Sequence, residues 1–435
     1  MDLEQKNREL GQDGYYETTV QRPHWPPLAH DSDADVLVIG AGLAGLSCAL
    51  ELAERGRDVL VLDAEQVCAQ ASGRNGGQAI AGFACGQPWL EQHLGLADAQ
   101  RLWRLSLASL ARMRERMREH AIACDPTWSY VTVADSRRKA SALRQEARHM
   151  RTHYGHDMVY VEGTELRSQV NSERYVAGLL DPASGHLNPL HYGLGLARAA
   201  QHQGVRLHEH SRVLDLQRVG QHWQARTPHA CVRARQVVLA ANCGLLWQSP
   251  RLAPALHARI MPVGTYIIAT QPLSADVVNS LLPTNAAVCD NNFVLDYFRL
   301  SADRRMLFGG RVSYTTATPT RLTATMRRRM VAVFPQLAAS RIDHTWGGFV
   351  DISRQRAPDW GLLDEGVYYL QGFSGHGVAA TTLAATVVSQ AIAGQPQDFE
   401  VFRRIRQQAF PGGPGWRLPL LLLGTSYYRL MDWLT

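Results

Sequence analysis

The sequence predicts an α/β fold (α+β overall), in which a mostly parallel sheet is assembled from separated pieces of chain and joined to a second, sheet-containing domain. Three observations predict it. The stretch ADVLVIGAGLAGLSCALELAERGRDVLVLD (34–63) reads as an apolar strand, a glycine turn, a helix of small and aliphatic residues, and a second apolar strand. The same pattern returns near the other end of the chain in DEGVYYLQGFSGHGVAATTLAATVVSQAIAG (364–394). Between them, from about 250 to 342, several short runs alternate or are wholly apolar, as sheet strands do.

The elements follow in order. Residues 1–32 form a lead-in ending in RPHWPPLAHDSD, whose prolines argue against helix or strand. A helix is expected over about 43–55 and a strand over 58–63, followed by the loop QASGRNGGQ (70–78). Residues 88–150 read as mostly helical, with WSYVTVAD (128–135) as a strand. The stretch 178–217 reads as loop, helix and strand, and CVRARQVVLAANCG (231–244) as a buried strand ending in a turn. PVGTYIIATQPL, NNFVLDYFRLS and RMLFGGRVSY read as strands, and RLTATMRRRMVAVFP as a helix. This alternation divides the chain into a nucleotide domain (33–87, 150–248 and 343–400), a substrate domain (88–149 and 249–342) and a helical tail (401–435).

Composition excludes several functions. At 435 residues, 46% hydrophobic and 19% charged, the chain builds a sizeable core. The net charge of +6 is spread through segments such as RMRERMREH, with acids at helical spacing and few aromatics, which is a solvated helix face and not a nucleic-acid stripe. Lysine occurs only at Lys6 and Lys139, which argues against Schiff-base chemistry. Seven cysteines without a C-x-x-C spacing predict reduced core residues of a cytoplasmic protein. The polar, acidic N-terminus carries no secretion signal, and no apolar run reaches the roughly 20 residues of a membrane span. No His or Cys spacing suggests a metal site.

Chemistry enters at the glycine turns. Gly40, Gly42 and Gly45 follow a strand and open a helix, the pattern of a Rossmann-like dinucleotide site: a tight turn, backbone free to approach a pyrophosphate, and close packing of helix on strand. The helix N-terminus faces the phosphates, and Asp63, ending the second strand, suits a ribose hydroxyl. A second cluster (Ser72, Gly73, Arg74, Asn75, Gly76, Gly77, Gln78) would return to the same strand ends and hold the middle of a longer cofactor. A third turn, Gly372 to Gly377, begins a helix near Val378 whose positive end suits the N1 and C2-carbonyl edge of a flavin that gains negative charge on reduction. Each later cluster taken alone also suits a plain loop; three on one βαβ scaffold point to FAD.

Six stretches, VLVIGAGLAGL, ASGRNGGQ, PVGTYIIATQPL, VLDYFRLSADRRMLFGG, WGGFVDISRQRAPDWG and LQGFSGHGVAATTLA, together resemble the D-amino-acid oxidase (DAO) class of flavoproteins, from about Tyr15 to near the C-terminus. Within that class they look most like the bacterial γ-glutamylputrescine oxidases. The resemblance implies bound FAD, a discontinuous FAD domain of the glutathione-reductase type, and a substrate domain whose sheet covers the flavin. By position it implies Gly40, Gly42, Ala44 and Gly45 at the pyrophosphate, Asp63 at the ribose, and Val213 and Ala240 near the adenosine. It also implies Ser72, Arg74, Asn75, Gly76, Gly77 and Gln78 along the phosphates and flavin, and Gly375, His376, Gly377 and Val378 by the flavin pyrimidine edge. The lysine that related sarcosine oxidases use with oxygen is missing.

The implied reaction is hydride transfer from an amine C–H to flavin N5, with hydrolysis of the imine to an aldehyde and reduction of O2 to H2O2. The substrate would be a γ-glutamylated polyamine such as γ-glutamylputrescine. No obligatory general base is required; His376 is the one side chain put forward as catalytic. For a distal carboxylate, Arg299, Arg311, Arg354 and Arg356 are candidates, each equally suited to a structural ion pair. Tyr297 and Phe298 would line the amine channel or the core, and Asp296 would hold an ammonium. His186 and His191 fall in a loop and at a helix start. Two further readings stay open: a D-amino-acid or small-amine dehydrogenase passing electrons to a quinone, and a flavin-holding scaffold without turnover. The basic, aromatic tail suits either a membrane-surface anchor or a helix packed on the protein.

Overall fold

The computed structural model describes residues 3–292, 294–310 and 321–411. Expectations for Arg311, for residues 311–314 as strand, and for the tail beyond residue 411 lie outside the described residues.

The strand Ser32–Ile39 is central to an eight-stranded sheet, pairing in parallel with Val59–Leu62 on one side and Cys231–Leu239 on the other. Val367–Gln371 and Arg206–His208 extend the parallel region at either side, and Asp359–Asp364 adds an antiparallel edge. The sheet is apolar where both faces are covered, at residues 36–39, 59–62 and 237–239. Val36, Val38, Val59 and Val61 pack into one core cluster with the helices, and Leu37, Ile39, Leu60 and Leu62 into another with Trp223 and Leu245.

The helix Leu43–Glu54 crosses the first face, and Gly377–Ile392 lies against it. Alanines at 379, 380, 384 and 385, all buried, let the second helix seat closely among its neighbours. No single helix among the described residues is long and apolar enough to cross a membrane. The apolar pair Gly377–Ile392 and Gln397–Arg403 meets at a bend of 117°. Its first member is apolar because it is core.

The second sheet has eight strands, in the order Ile342–Ser353, Ile260–Thr270, Met306–Gly310, Asp296–Leu300, Ala287–Asp290, Tyr130–Ala134, Ala177–Asp181 and Val159–Glu162. All pairs are antiparallel except Ala287–Asp290 with Tyr130–Ala134. Three strands depart from the expected division of the chain. Ile342–Ser353, expected to open the last nucleotide-domain piece, pairs along the whole of Ile260–Thr270 in the second sheet. GLLD, expected as loop, belongs to the strand Ala177–Asp181, where Ala177 and Leu179 pack on Ala140 and Leu143. Val159–Glu162 pairs beside it at the edge. The glycine and following proline obscured a five-residue strand that is stabilised by packing on the helix Arg137–Tyr154 and not by its own pattern.

Ahead of its proline segment the lead-in carries a helix, Leu3–Gly11, and a short 3-10 turn, Tyr15–Thr19. The proline segment after them is irregular, as expected. The long helices end as their sequences dictate. Ser136 Oγ accepts the Lys139 N–H at the start of Arg137–Tyr154, and Gly155 closes it in the left-handed region at φ 61°. Asn188 Oδ1 accepts from Leu190 and His191 at the start of Pro189–His202. All seven cysteines are free, and four of them (48, 68, 124, 243) are buried.

Candidate active site

The first glycine turn is set by backbone geometry. Gly40 has φ +111°, and its N–H donates to the Leu62 carbonyl at 2.8 Å. A methyl group on Gly45 would lie 1.8 Å from the Gly40 carbonyl oxygen, so the helix can start this close to its strand only with glycine there. On Gly42 it would lie 2.7 Å from Ser72 Oγ, which accepts the Leu43 N–H at 2.9 Å. Gly45 and Ala44 thus sit in the packing of the turn, not on the cavity surface.

The cavity at this turn is lined by Gly40, Gly42, Asp63, Ser72, Val213 and Ala240, bringing together six residues expected at the nucleotide end. Asp63 Oδ2 accepts the Ala41 N–H at 2.6 Å and Oδ1 the Glu65 N–H at 2.8 Å. Burial pushes its carboxyl up to about 6, against the pull of those two donors. Asn242, Gln248 and Ser249 also line this cavity and escaped the sequence reading. The turn ANCG was visible, but nothing in it distinguished a wall from a connection.

A second cavity of about 160 Å³ gathers the other two glycine clusters: Asn75, Gly76 and Gln78 from one, Gly375, His376 and Val378 from the other. Ser72 on the first cavity and Asn75 on the second are three residues apart, so one short segment borders both. Gly77 does not reach the cavity. At φ +74° a methyl group on it would lie 2.0 Å from the Leu187 carbonyl oxygen, and its N–H donates to Asn75 Oδ1 at 2.8 Å, which shapes the loop. His376 occupies the N-cap position of the helix Gly377–Ile392, which has no side-chain cap. Gly377 begins the helix itself.

The third turn is held from the second sheet. Asp351 Oδ2 accepts the Gly372 N–H, its main-chain oxygen accepts the Ser374 N–H at 3.0 Å, and the Ser353 N–H donates to Ser374 Oγ at 3.1 Å. The sequence reading passed over Asp351, although it stands in the WGGFVDIS stretch. Burial pushes its carboxyl up to about 7, while N–H groups of Gly372 and Phe373 pull it down. A buried carboxyl raised above its unfolded value stabilises the fold most at low pH and loses that contribution as pH rises from about 4 to about 7. Asp351→Asn keeps the acceptor for Gly372 and cannot ionise. Its melting temperature relative to the parent is therefore expected to climb across this pH range; a difference independent of pH would contradict the assignment.

Of the substrate candidates, two reach the second cavity. Tyr297 lines it with its ring against Gly76 and Gly309, and Arg356 lines it from the turn between the strands Ile342–Ser353 and Asp359–Asp364. The others do not. Asp296 is buried and ion-paired with Arg329 at 2.6 Å. Arg299 is 4% exposed and donates to the carbonyls of Gly76 (2.6 Å), Leu187 (2.9 Å) and Leu300 (3.0 Å), so it holds the second glycine loop and leaves no edge for a ligand carboxylate. Arg354 is exposed, 3.5 Å from the Ala409 carbonyl. Arg74 turns its guanidinium to the Asn7 carbonyl at 2.5 Å, away from both cavities; only its main chain stays in the loop. Phe298 stacks at 5.6 Å on Phe308 in the core of the substrate sheet. His186 is buried with Nε2 2.8 Å from the Asn285 carbonyl, and burial first, then Arg299, push it down to about 3. His191 lies at the start of its helix, as expected.

A third cavity, of about 760 Å³, opens beside the second. Ile80, Ala84, Tyr130, Cys289, Leu295 and His376 line both, so the two are one continuous space bordered by the second sheet. Among the described residues one group of ligand types stands close enough for a metal ion, the largely exposed Glu54, Glu119 and His120, away from these cavities.

The residues fit FAD. A glycine cradle that one methyl would fill, a carboxylate ending the second strand, and two helix N-termini without side-chain caps at their N-cap residues supply backbone donors for phosphate and for a flavin edge. Comparison with known proteins agrees. The family described as FAD dependent oxidoreductase (DAO) matches residues 35–391. A probable oxidoreductase, OrdL, of Haemophilus influenzae is 37% identical over 96% of both chains. The gamma-glutamylputrescine oxidoreductase of Escherichia coli is 36% identical over 92% of both. Among solved structures, glycine oxidase from Bacillus cereus superposes with a TM-score of 0.71, covering 87% of this chain and 99% of that one at 18% identity, which establishes the shared fold. The chain belongs to the FAD dependent oxidoreductase (DAO) family, and its cofactor is FAD.

Proposed function

We propose that this enzyme oxidises the terminal amine carbon of a γ-glutamylated polyamine such as γ-glutamylputrescine. The observation that carries the reading is the continuity of the flavin-edge cavity with a chamber of about 760 Å³, room for an extended substrate whose reacting end reaches the inner space. The 36% identity to the E. coli gamma-glutamylputrescine oxidoreductase supports the substrate class. What FAD supplies when bound is a two-electron acceptor at N5 for the hydride of the amine C–H, with O2 as final acceptor and hydrogen peroxide as its product.

The protein supplies position and dryness. Tyr297, wedged between Gly76 and Gly309, forms a fixed aromatic wall on the inner cavity, and Ile80 and Leu295 continue that wall into the chamber. The uncapped start of Gly377–Ile392 would offer its N–H groups to the pyrimidine edge of the flavin, where reduction builds negative charge. His376, at that N-cap position, lines the passage between the two spaces. The substrate, having lost a hydride and a proton, is an imine; water converts it to aldehyde and ammonia.

A dehydrogenase delivering electrons to a quinone is favoured by one observation: neither Lys6 nor Lys139 lines the inner cavity where the flavin edge would lie, and Lys139 bonds Asp135 and Asn292 beside the outer chamber instead. Anaerobic addition of γ-glutamylputrescine to the FAD-loaded protein is expected to bleach the flavin, and in air to yield peroxide in step with amine consumed. Bleaching with turnover only on a quinone or dye would move the assignment to the dehydrogenase. Retention of colour with every γ-glutamylated and free polyamine would contradict both.

A further inference from the structure

The charge distribution in the large chamber is one-sided. Its lining carries three carboxyl groups, Glu146, Asp181 and Asp290, with His149 and His376 and no arginine or lysine among the described residues; burial raises Glu146 and pushes Asp290 up to about 7. Against the burial that would raise it, bonds from His156 (2.9 Å), Ser184 and the Ala183 N–H hold the Asp181 carboxyl below its ordinary range, so it is ionised. Glu146 has no hydrogen-bond or ion-pair partner among the described residues. The basic groups around it are already engaged: His149 Nε2 lies 2.6 Å from Glu91, and Asp135 takes Lys139 at 3.0 Å and Arg174 at 3.8 Å.

A separate observation points to a ligand. Gln87 and Trp103, 6% and 5% exposed, line the same chamber, and the Gln87 amide oxygen and the Trp103 indole N–H have no hydrogen-bond partner. Buried polar groups are rarely left so. The combination is acceptor-rich with one fixed donor.

We propose that this chamber is the subsite for a second cationic centre on the substrate, a free ammonium received by Glu146, Asp181 and the Gln87 oxygen while the amine to be oxidised reaches the inner cavity. The inference rests on the amine-oxidation reading above and specifies its substrate class: amines with a distal ammonium, such as free diamines or the α-ammonium of a γ-glutamyl group. In the latter the Trp103 N–H suits the neighbouring carboxylate. A distal carboxylate without an ammonium meets the ionised Asp181 with only the Trp103 N–H to receive it. Distal recognition therefore runs through carboxylates, and Arg354 has no part in it.

The test compares γ-glutamylputrescine with N-glutarylputrescine, which keeps the carboxylate and lacks only the α-ammonium. Binding to the FAD-loaded protein is measured by calorimetry under anaerobic conditions, and flavin bleaching is followed separately. The expected result is at least about 10-fold tighter binding of the ammonium-bearing ligand, the scale of a charge-assisted hydrogen bond. Glu146→Gln should narrow that ratio. Equal affinities in the parent, or a ratio that survives Glu146→Gln intact, would overturn the subsite. Ammonium-dependent binding with no bleaching by either ligand would leave the subsite standing and overturn the oxidation reading.

Discussion

Replacing Gly45 with alanine is expected to give a chain that no longer carries FAD. The added methyl would sit 1.8 Å from the Gly40 carbonyl oxygen and 3.2 Å from Val38 Cγ1, and the nearer of these is backbone that cannot swing aside. Either the helix Leu43–Glu54 lifts off the strand or the turn opens. Overpacking of this kind costs on the order of 3 kcal/mol. Because pyrophosphate binding requires the closed turn, affinity should fall by roughly 100-fold. Flavin content after gel filtration reads the effect directly, and a melting curve of the cofactor-free protein separates the turn from global unfolding. A yellow Gly45→Ala protein with parental stability would show that the turn does not hold the dinucleotide.

The second large effect is expected from Arg299→Met. The guanidinium is buried and spans three carbonyls and the Tyr16 hydroxyl, so its loss leaves several acceptors without donors. Each orphaned acceptor costs about 1–3 kcal/mol, and removing a buried, fully bonded charge totals on the order of 3–5 kcal/mol. Because one of these carbonyls is Gly76, the cavity shared with the third glycine turn should loosen as well. Arg299→Lys should recover little, since an ammonium cannot reproduce the fork. The measurement is the melting temperature alongside the amine dissociation constant. A substrate-binding arginine would weaken amine binding and leave the melting temperature unchanged; a scaffold arginine lowers the melting temperature first.

Local pattern made the nucleotide end legible. Gly40, Gly42, Gly45 and Asp63 lie within one βαβ unit, where spacing along the chain is spacing in the fold. The convergence of the second and third glycine clusters was legible too, because a parallel sheet brings strand ends to one edge. Substrate residues were not. Asp296, Arg299 and Arg356 share a polar character in the sequence, yet one is ion-paired, one bonds carbonyls beneath a loop, and one faces the cavity. Which of these a strand residue does depends on partners hundreds of positions away, such as Gly76 for Arg299. The acidic chamber was hidden for the same reason, since Glu146, Asp181 and Asp290 come from three separated segments. The strand Ala177–Asp181 escaped because its stability lies in neighbours and not in its composition.

The central claim is that three glycine turns, far apart in the chain, converge on one molecule of FAD. The most direct measurement is the flavin released by denaturing the purified protein, set against protein concentration. The account predicts one FAD per chain. A colourless protein that takes up no FAD when it is supplied would contradict it.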